Sequence, residues 1–256
     1  MLFSRLLLSS VLIGVLSVSA QAADLPSRVK ATTPLSAAPV FSWTGFYAGG
    51  NIGAGWKRTA QYLPAQTFLL LGVSYTFPAS AVDGGFSNAS SAYIGGLQAG
   101  YDHQMGSWVF GVQANVEATG MNVRSAWPKN LSEKVSSKAK AVGSFTGRVG
   151  YAIQPSLLVY AKGGLGWSRI SYLDIYHDPT YFYSVKGSAT HWGWTVGAGL
   201  EYALTSNLST FIEYNHADYG SKNVRMRDSD QQNSWLFNYS NRIDTVMVGV
   251  NYRFGK

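Results

Sequence analysis

From Trp43 to its end the chain alternates apolar with small or polar residues, and the pattern is cleanest in the last stretch, IDTVMVGVNYRFGK. Val246, Val248, Val250, Tyr252 and Phe254 fall on one face; Thr245, Met247, Gly249, Asn251 and Arg253 fall on the other. A period of two is the signature of a strand, whose successive side chains point to opposite faces. After the first two dozen residues no apolar run approaches the roughly eighteen residues that a membrane-spanning helix needs. A chain of this kind can enter a membrane only as closed strands, because hydrocarbon offers no partner for a free N–H or C=O.

Eight such segments are predicted, at about 44–57, 91–102, 107–119, 138–152, 157–170, 190–203, 208–219 and the closing stretch. Their connections alternate in length. DHQMGS, QPS and TSN are short, while 58–90, 120–137, 171–189 and 220–240 are long. Short turns at one end and long loops at the other fit an eight-stranded antiparallel up-and-down transmembrane β-barrel, all-β, with both termini on the periplasmic side. The apolar faces begin or end in aromatics such as Phe46, Trp56, Tyr93, Trp108, Trp192 and Phe254, which would form the two interfacial girdles.

Alternation alone does not say which face is inside. A soluble barrel of lipocalin type would put the apolar face inward. Only 13% of the residues are charged, about half the level usual in soluble domains. The mixed face carries Gly, Asn, Gln and isolated charges, which suits a crowded polar lumen. The other face is almost continuous Val, Leu, Ala and aromatics, which suits lipid. The formal charge of +7 is spread along the chain without a compact Lys/Arg cluster, so no nucleic-acid partner is expected.

The N-terminus carries Arg5, an apolar core from Leu6 to Val18, and Ala20-Gln21-Ala22. This is the pattern of a secretory signal peptide over 1–22, cut after Ala22. Residues 23–42, rich in Pro and Ala, read as a periplasmic linker, leaving 43–256 as the barrel. The expected location is the outer membrane. The expected partners are its lipid and lipopolysaccharide, the barrel-assembly machinery, and an extracellular ligand or host surface facing the loops.

Eight strands enclose room for side chains or one small ligand. The inner face would carry Asp102, Glu117, Glu201 and Glu213 with Lys140, Arg148, Lys162 and Arg253. An unpaired charge in so narrow a space is very costly, so four acids against four bases predict a crossed ion-pair network. A selective lining for a small pore and a set of catalytic carboxylates are the other readings of the same residues. No metal cluster, phosphate loop or nucleotide motif is present in the sequence, and no cofactor is expected.

The stretches FSWTGFYAGGNIGAGW, GRVGYAI, YAKGGLGW at 160–167, VGAGLEY at 196–202 and the closing VGVNYRF resemble the porin-family, opacity-type (OmpA-like) outer-membrane β-barrels of Gram-negative bacteria. The resemblance covers about 41–256 together with the leader and the Ala-Asp-Leu-Pro that follows it. It implies a surface barrel, in some relatives immunogenic and in some haemin-binding. His177, Tyr176 and Tyr181, in the aromatic segment SYLDIYHDPTYFYSVKGS, are then candidate haemin ligands, since His or Tyr can hold haem iron. Small barrels of deacylase type carry His-x-Ser. Here no histidine is followed two residues later by Ser, and no enzyme is expected. The histidines are expected at the surface or the interface. Such barrels usually end on the aromatic, whereas Phe254 is followed by Gly255 and Lys256. The function expected is structural: envelope integrity and presentation of surface loops. A narrow diffusion channel and a haemin or ligand receptor are the alternatives.

Overall fold

The structure, a computed structural model, describes residues 41–70, 73–77, 80–81, 88–127, 130–177, 182–228 and 234–255. The expected leader and all but the last two residues of the expected linker lie outside these. Eight long strands carry the fold: β1 Gly45–Leu63, β2 Asn88–Met105, β3 Trp108–Thr119, β4 Asn130–Gln154, β5 Leu157–His177, β6 Phe182–Ala203, β7 Leu208–Asp228 and β8 Ser234–Arg253. Each pairs antiparallel with the next. β8 returns to β1 in register from Tyr47↔Arg253 to Tyr62↔Asn238, so the sheet closes on itself.

One end is held by tight connections. Gly106 and Ser107 turn β2 into β3, with Gly106 at φ +63°, a conformation that glycine takes without Cβ strain. Pro155-Ser156 and residues 204–207 make the other two turns. At the opposite end the strands run further than their alternation suggested. β5 continues to His177 and β7 to Asp228, so much of each expected long loop is hairpin. The apolar run TFLLLGVSYTF forms a ribbon of its own, Gln66–Leu70 paired with Val73–Phe77. Asn122–Trp127 prolongs β3 past a break at Gly120-Met121 and pairs with the top of β4.

The lipid-facing side is the apolar one. Phe46 is 68% exposed, Tyr93 83% and Trp192 65%, with Leu97, Leu165, Val196 and Val248 between such girdle residues. Among the described residues two bulges within the long strands reverse the inward parity. In β4 the ladder to β5 passes from Ala139↔Ile170 to Ala141↔Arg169, leaving Lys140 as an extra residue. In β7 the ladder to β8 skips from Asp218 to Ser221 around Gly220, whose φ is +58°. Each bulge moves the inward set to the other parity. Val135, Ser137 and Ala139 point inward below the β4 bulge in sequence, and Val142, Thr146 and Arg148 above it.

Inward glycines seat inward aromatics. A methyl at Gly100 would stand 2.5 Å from the Tyr47 ring, and one at Gly199 would stand 2.6 Å from the Tyr160 hydroxyl. Two rings thus lie flat against the wall where their neighbours have no side chain.

Candidate functional site: a filled lumen

The inward residues stack in layers from the tight-turn end. The floor is Trp43, wholly buried among Val109, Leu158, Tyr160 and Ala203, with Phe41 packed against it. The strand register does not place Trp43 there, because it precedes β1. Its amide donates to Gln104 Oε1 at 2.9 Å, and its carbonyl accepts from Arg253 Nη1. Trp43→Ala should lower the stability of the barrel by about 3–5 kcal/mol, as expected for deleting a buried indole, and a urea titration of the refolded protein reads this directly.

Above the floor two guanidiniums and two carboxylates close a ring. Arg253 donates through Nη1 and Nη2 to Asp102 Oδ2 at 3.1 Å each. Arg148 Nε lies 3.1 Å from Asp102 Oδ1, and its Nη2 donates to Glu201 Oε2 at 2.9 Å. Glu201 Oε1 also accepts from Ser209 at 2.6 Å and Asn251 at 3.1 Å, and lies 3.7 Å from Arg253 Nη2. The aromatic rings seated on glycine supply the faces. The Arg148 guanidinium is 4.5 Å from the Tyr160 centroid, and that of Arg253 is 5.0 Å from Tyr47. Guanidinium geometry suits both tasks at once, bridging carboxylates in plane and stacking on aromatics out of plane.

One layer higher, Lys162 Nζ is 2.7 Å from Glu213 Oε1, and Tyr160 donates to Glu213 Oε2 at 2.8 Å. Tyr160→Phe keeps the ring and removes that donor to a charged group. It should cost about 1.5–3 kcal/mol, measured as a lower urea midpoint. Glu117 differs from the other three acids. It accepts from Asn115, and no cation lies within 4 Å of it among the described residues. It borders a cavity of about 40 Å³, together with Asn115, Ser144, Thr195 and Thr245.

The same cavity is capped by apolar groups. Along β4, β7 and β8 the next inward step away from the floor changes from polar to apolar: Ser144 to Val142, Asn215 to Ala217 and Tyr219, Thr245 to Ile243. Ile94, Met121 and Ile170 join this cluster. A second polar layer follows. Lys57 Nζ donates to the Ser137 carbonyl at 3.0 Å and to its hydroxyl at 2.6 Å. Thr59 donates to Asn241, Asn241 to the Tyr172 hydroxyl, and Tyr172 shares a 2.7 Å hydrogen bond with His191 Nε2. Tyr172 stacks on Tyr239 with centroids 3.9 Å apart, and Val224, Met226 and Phe237 complete the top. Burial holds the Tyr172 and Tyr239 phenols, both several residues beyond the girdle, above their ordinary range, so they act as neutral groups.

Seven of the eight expected lumen charges therefore lie inside: Asp102, Glu117, Arg148, Lys162, Glu201, Glu213 and Arg253. Lys140 does not. It is exposed on the outer face because the β4 bulge reverses the alternation just there. Lys57 is the fourth buried cation, an inward residue of β1 by simple continuation of Tyr47, Asn51 and Gly55. His191, expected at a surface, is fully buried in the upper layer. Tyr176 and His177 end β5, but their side chains lie outside the described residues, as does the whole of Tyr181.

A family model described as outer membrane protein beta-barrel domain matches residues 8–254. The chain is 32% identical over 251 residues to the 31 kDa outer-membrane immunogenic protein of Brucella melitensis biotype 1, covering 93% of this chain and 95% of that protein. Among solved structures, the outer membrane protein OprG from Pseudomonas aeruginosa aligns with a TM-score of 0.53 at 12% identity, over 84% of this chain and 99% of that one. The outer membrane protease OmpT from Escherichia coli aligns at 0.51 and 11% identity, over 84% and 98%. At such identities the two structures share the fold alone.

Proposed function

The chain belongs to the outer membrane protein β-barrel domain family, and from that premise we propose that it acts as a sealed structural barrel that stabilises the outer membrane and holds surface hairpins above it. Its location in the outer membrane agrees with the girdles and with the apolar outer face. The observation that carries the structural reading is the layered filling of the lumen. A buried indole, an ion-pair ring, an apolar layer and a hydrogen-bonded layer follow one another along the axis. An apolar layer between two polar ones resists wetting, and a charge ring whose members bridge one another offers no free site to a passing ion. The partners of such a barrel are the surrounding lipid and lipopolysaccharide, and the assembly machinery that inserts its last strand.

Single-channel recording on the refolded mature protein (23–256) tests this. A barrel that migrates as folded on a heat-modifiable gel should give no reproducible unitary steps in a planar bilayer. Regular steps, altered by Glu117→Gln, would make the lumen a pore and overturn the structural assignment.

A further inference from the structure

The cations on the outer wall are unevenly placed. Lys138, Lys140, Arg169 and Lys186 are all exposed on the outer faces of β4, β5 and β6, just beyond Phe145 and Trp192 on the long-hairpin side. The register sets them side by side. Ala141, Arg169 and Thr190 form one row; Lys138, Ser171 and Ser188 form the next; Ser136, Leu173 and Lys186 form the third. Arg124, opposite Ser136, extends the patch along β3's continuation. Neighbouring strands are about 4.8 Å apart and alternate residues about 7 Å apart, so one headgroup can reach several of these side chains. The bulge brings Lys140 out beside Arg169.

Among the residues of β4, β5 and β6 whose side chains are described, no Asp or Glu faces outward; Asp174 and Glu201 are buried inside. β7 and β8 are arranged differently. At the girdle Arg242 lies 2.8 Å from Asp218 and His216 lies 2.7 Å from Asp244, while further out on β7 Lys222 donates to the Thr190 carbonyl at 2.7 Å and Arg227 stands opposite Lys186, so the patch continues onto that strand. Like charges on adjacent strands repel, so a cluster left without carboxylates in its own wall disfavours the isolated barrel. Its position just above the girdle supplies a counter-charge of another kind. Hydroxyls at Ser171, Ser188 and Thr190 add donors of the type that accompany Arg and Lys around phosphate.

We propose that this face binds the phosphate groups of phosphorylated glycolipid in the outer leaflet, with Lys138, Lys140, Arg169 and Lys186 as its cations. The inference rests on the orientation in the structural reading, long hairpins outward, and it gives the lipid partner a definite side of the barrel.

The test uses refolded mature protein in zwitterionic micelles, titrated with bisphosphorylated lipid A and with the same lipid after dephosphorylation, bound lipid being read by native mass spectrometry. The phosphorylated lipid should bind the wild type more tightly. Lys138→Gln with Arg169→Gln should weaken it about 30-fold, from about fivefold per charge. Arg58→Gln with Arg242→Gln, on β1 and β8, should change it by less than about twofold on the same scale, since these two charges lie opposite one another and away from this face. Equal binding of dephosphorylated lipid, equal binding by the Lys138/Arg169 variant, or equal losses in both double variants would each overturn the assignment. Displacement of the lipid by equimolar inorganic pyrophosphate would overturn its lipid source. Heat-modifiable migration shows that each variant is folded. Because conductance is not the readout, failure here is separate from failure of the sealed-lumen reading.

Discussion

Arg148→Ala should cost about 3–5 kcal/mol, enough to leave much of the protein unfolded at mild urea concentrations. The guanidinium is the shared partner of Asp102 and Glu201, and all three side chains are excluded from solvent. Its removal leaves Glu201 with neutral donors and a distant Arg253, and Asp102 with Arg253 alone. Both carboxylates then stay buried with less than their charge in compensation. Lys140→Ala is the matched control, because Lys140 points away from the lumen. It should move the urea midpoint by no more than about 0.5 kcal/mol equivalent, as surface substitutions do. The experiment compares heat-modifiable migration and urea midpoints of the two variants side by side. An Arg148→Ala barrel as stable as the Lys140→Ala barrel would mean the ring does not hold the lumen together.

Gly199→Val should be comparably damaging, by about 3 kcal/mol or more, combining overpacking with a lost charged hydrogen bond. A Cβ at 199 would meet the Tyr160 hydroxyl at 2.6 Å and the Ile212 carbonyl oxygen at 2.7 Å. The carbonyl belongs to the neighbouring strand and does not move without breaking the ladder. The phenol can leave only by abandoning Glu213 and the stacking face it gives Arg148. The valine therefore acts on two layers of the lumen at once. Urea unfolding of Gly199→Val in the Tyr160→Phe background separates the two contributions. A loss undiminished there assigns the damage to the backbone contact, and a smaller loss assigns part of it to the phenol. A Gly199→Val barrel with a wild-type midpoint would show that the ring is not seated on this glycine.

Much of this was legible in the sequence, for a physical reason. A strand buried on one face and lipid-facing on the other must alternate, so strand number, turn lengths and the apolar-out assignment follow from residues such as Trp192, Val196 and Leu200 set against Thr195, Gly197 and Glu201. The limits have equally physical causes. Lys140 sits at a bulge, and an added residue in one strand leaves no composition signal while it reverses the faces beyond it. Beyond the membrane the outer face no longer needs to be apolar, so the contrast that marks a strand fades although the strand continues. Thr59, Tyr172 and Asn241 lie in that stretch, and Lys57 and His191 stand at the outer ends of their alternating segments, so the upper hydrogen-bonded layer does not show in the pattern. Carrying the odd parity of Tyr47 and Asn51 forward to Lys57 would have found one of them. Trp43 stands at the very start of the alternation, before the first strand. Only its aromatic bulk next to a barrel mouth distinguishes it from the segment before it.

The seam between β1 and β8 has a consequence for how the molecule comes and goes. Every other neighbouring pair of the eight strands is consecutive in the chain, whereas these two meet across the length of the barrel sequence, and Arg253 reaches Trp43 at a separation of 210 residues and Asp102 at 151. Contacts so remote close last, because the whole intervening chain must already be ordered before they are rewarded. The clasp at Arg253 therefore governs time more than affinity. Once it is made, all edges vanish together, and the lifetime of the native protein is the waiting time for this one seam to part.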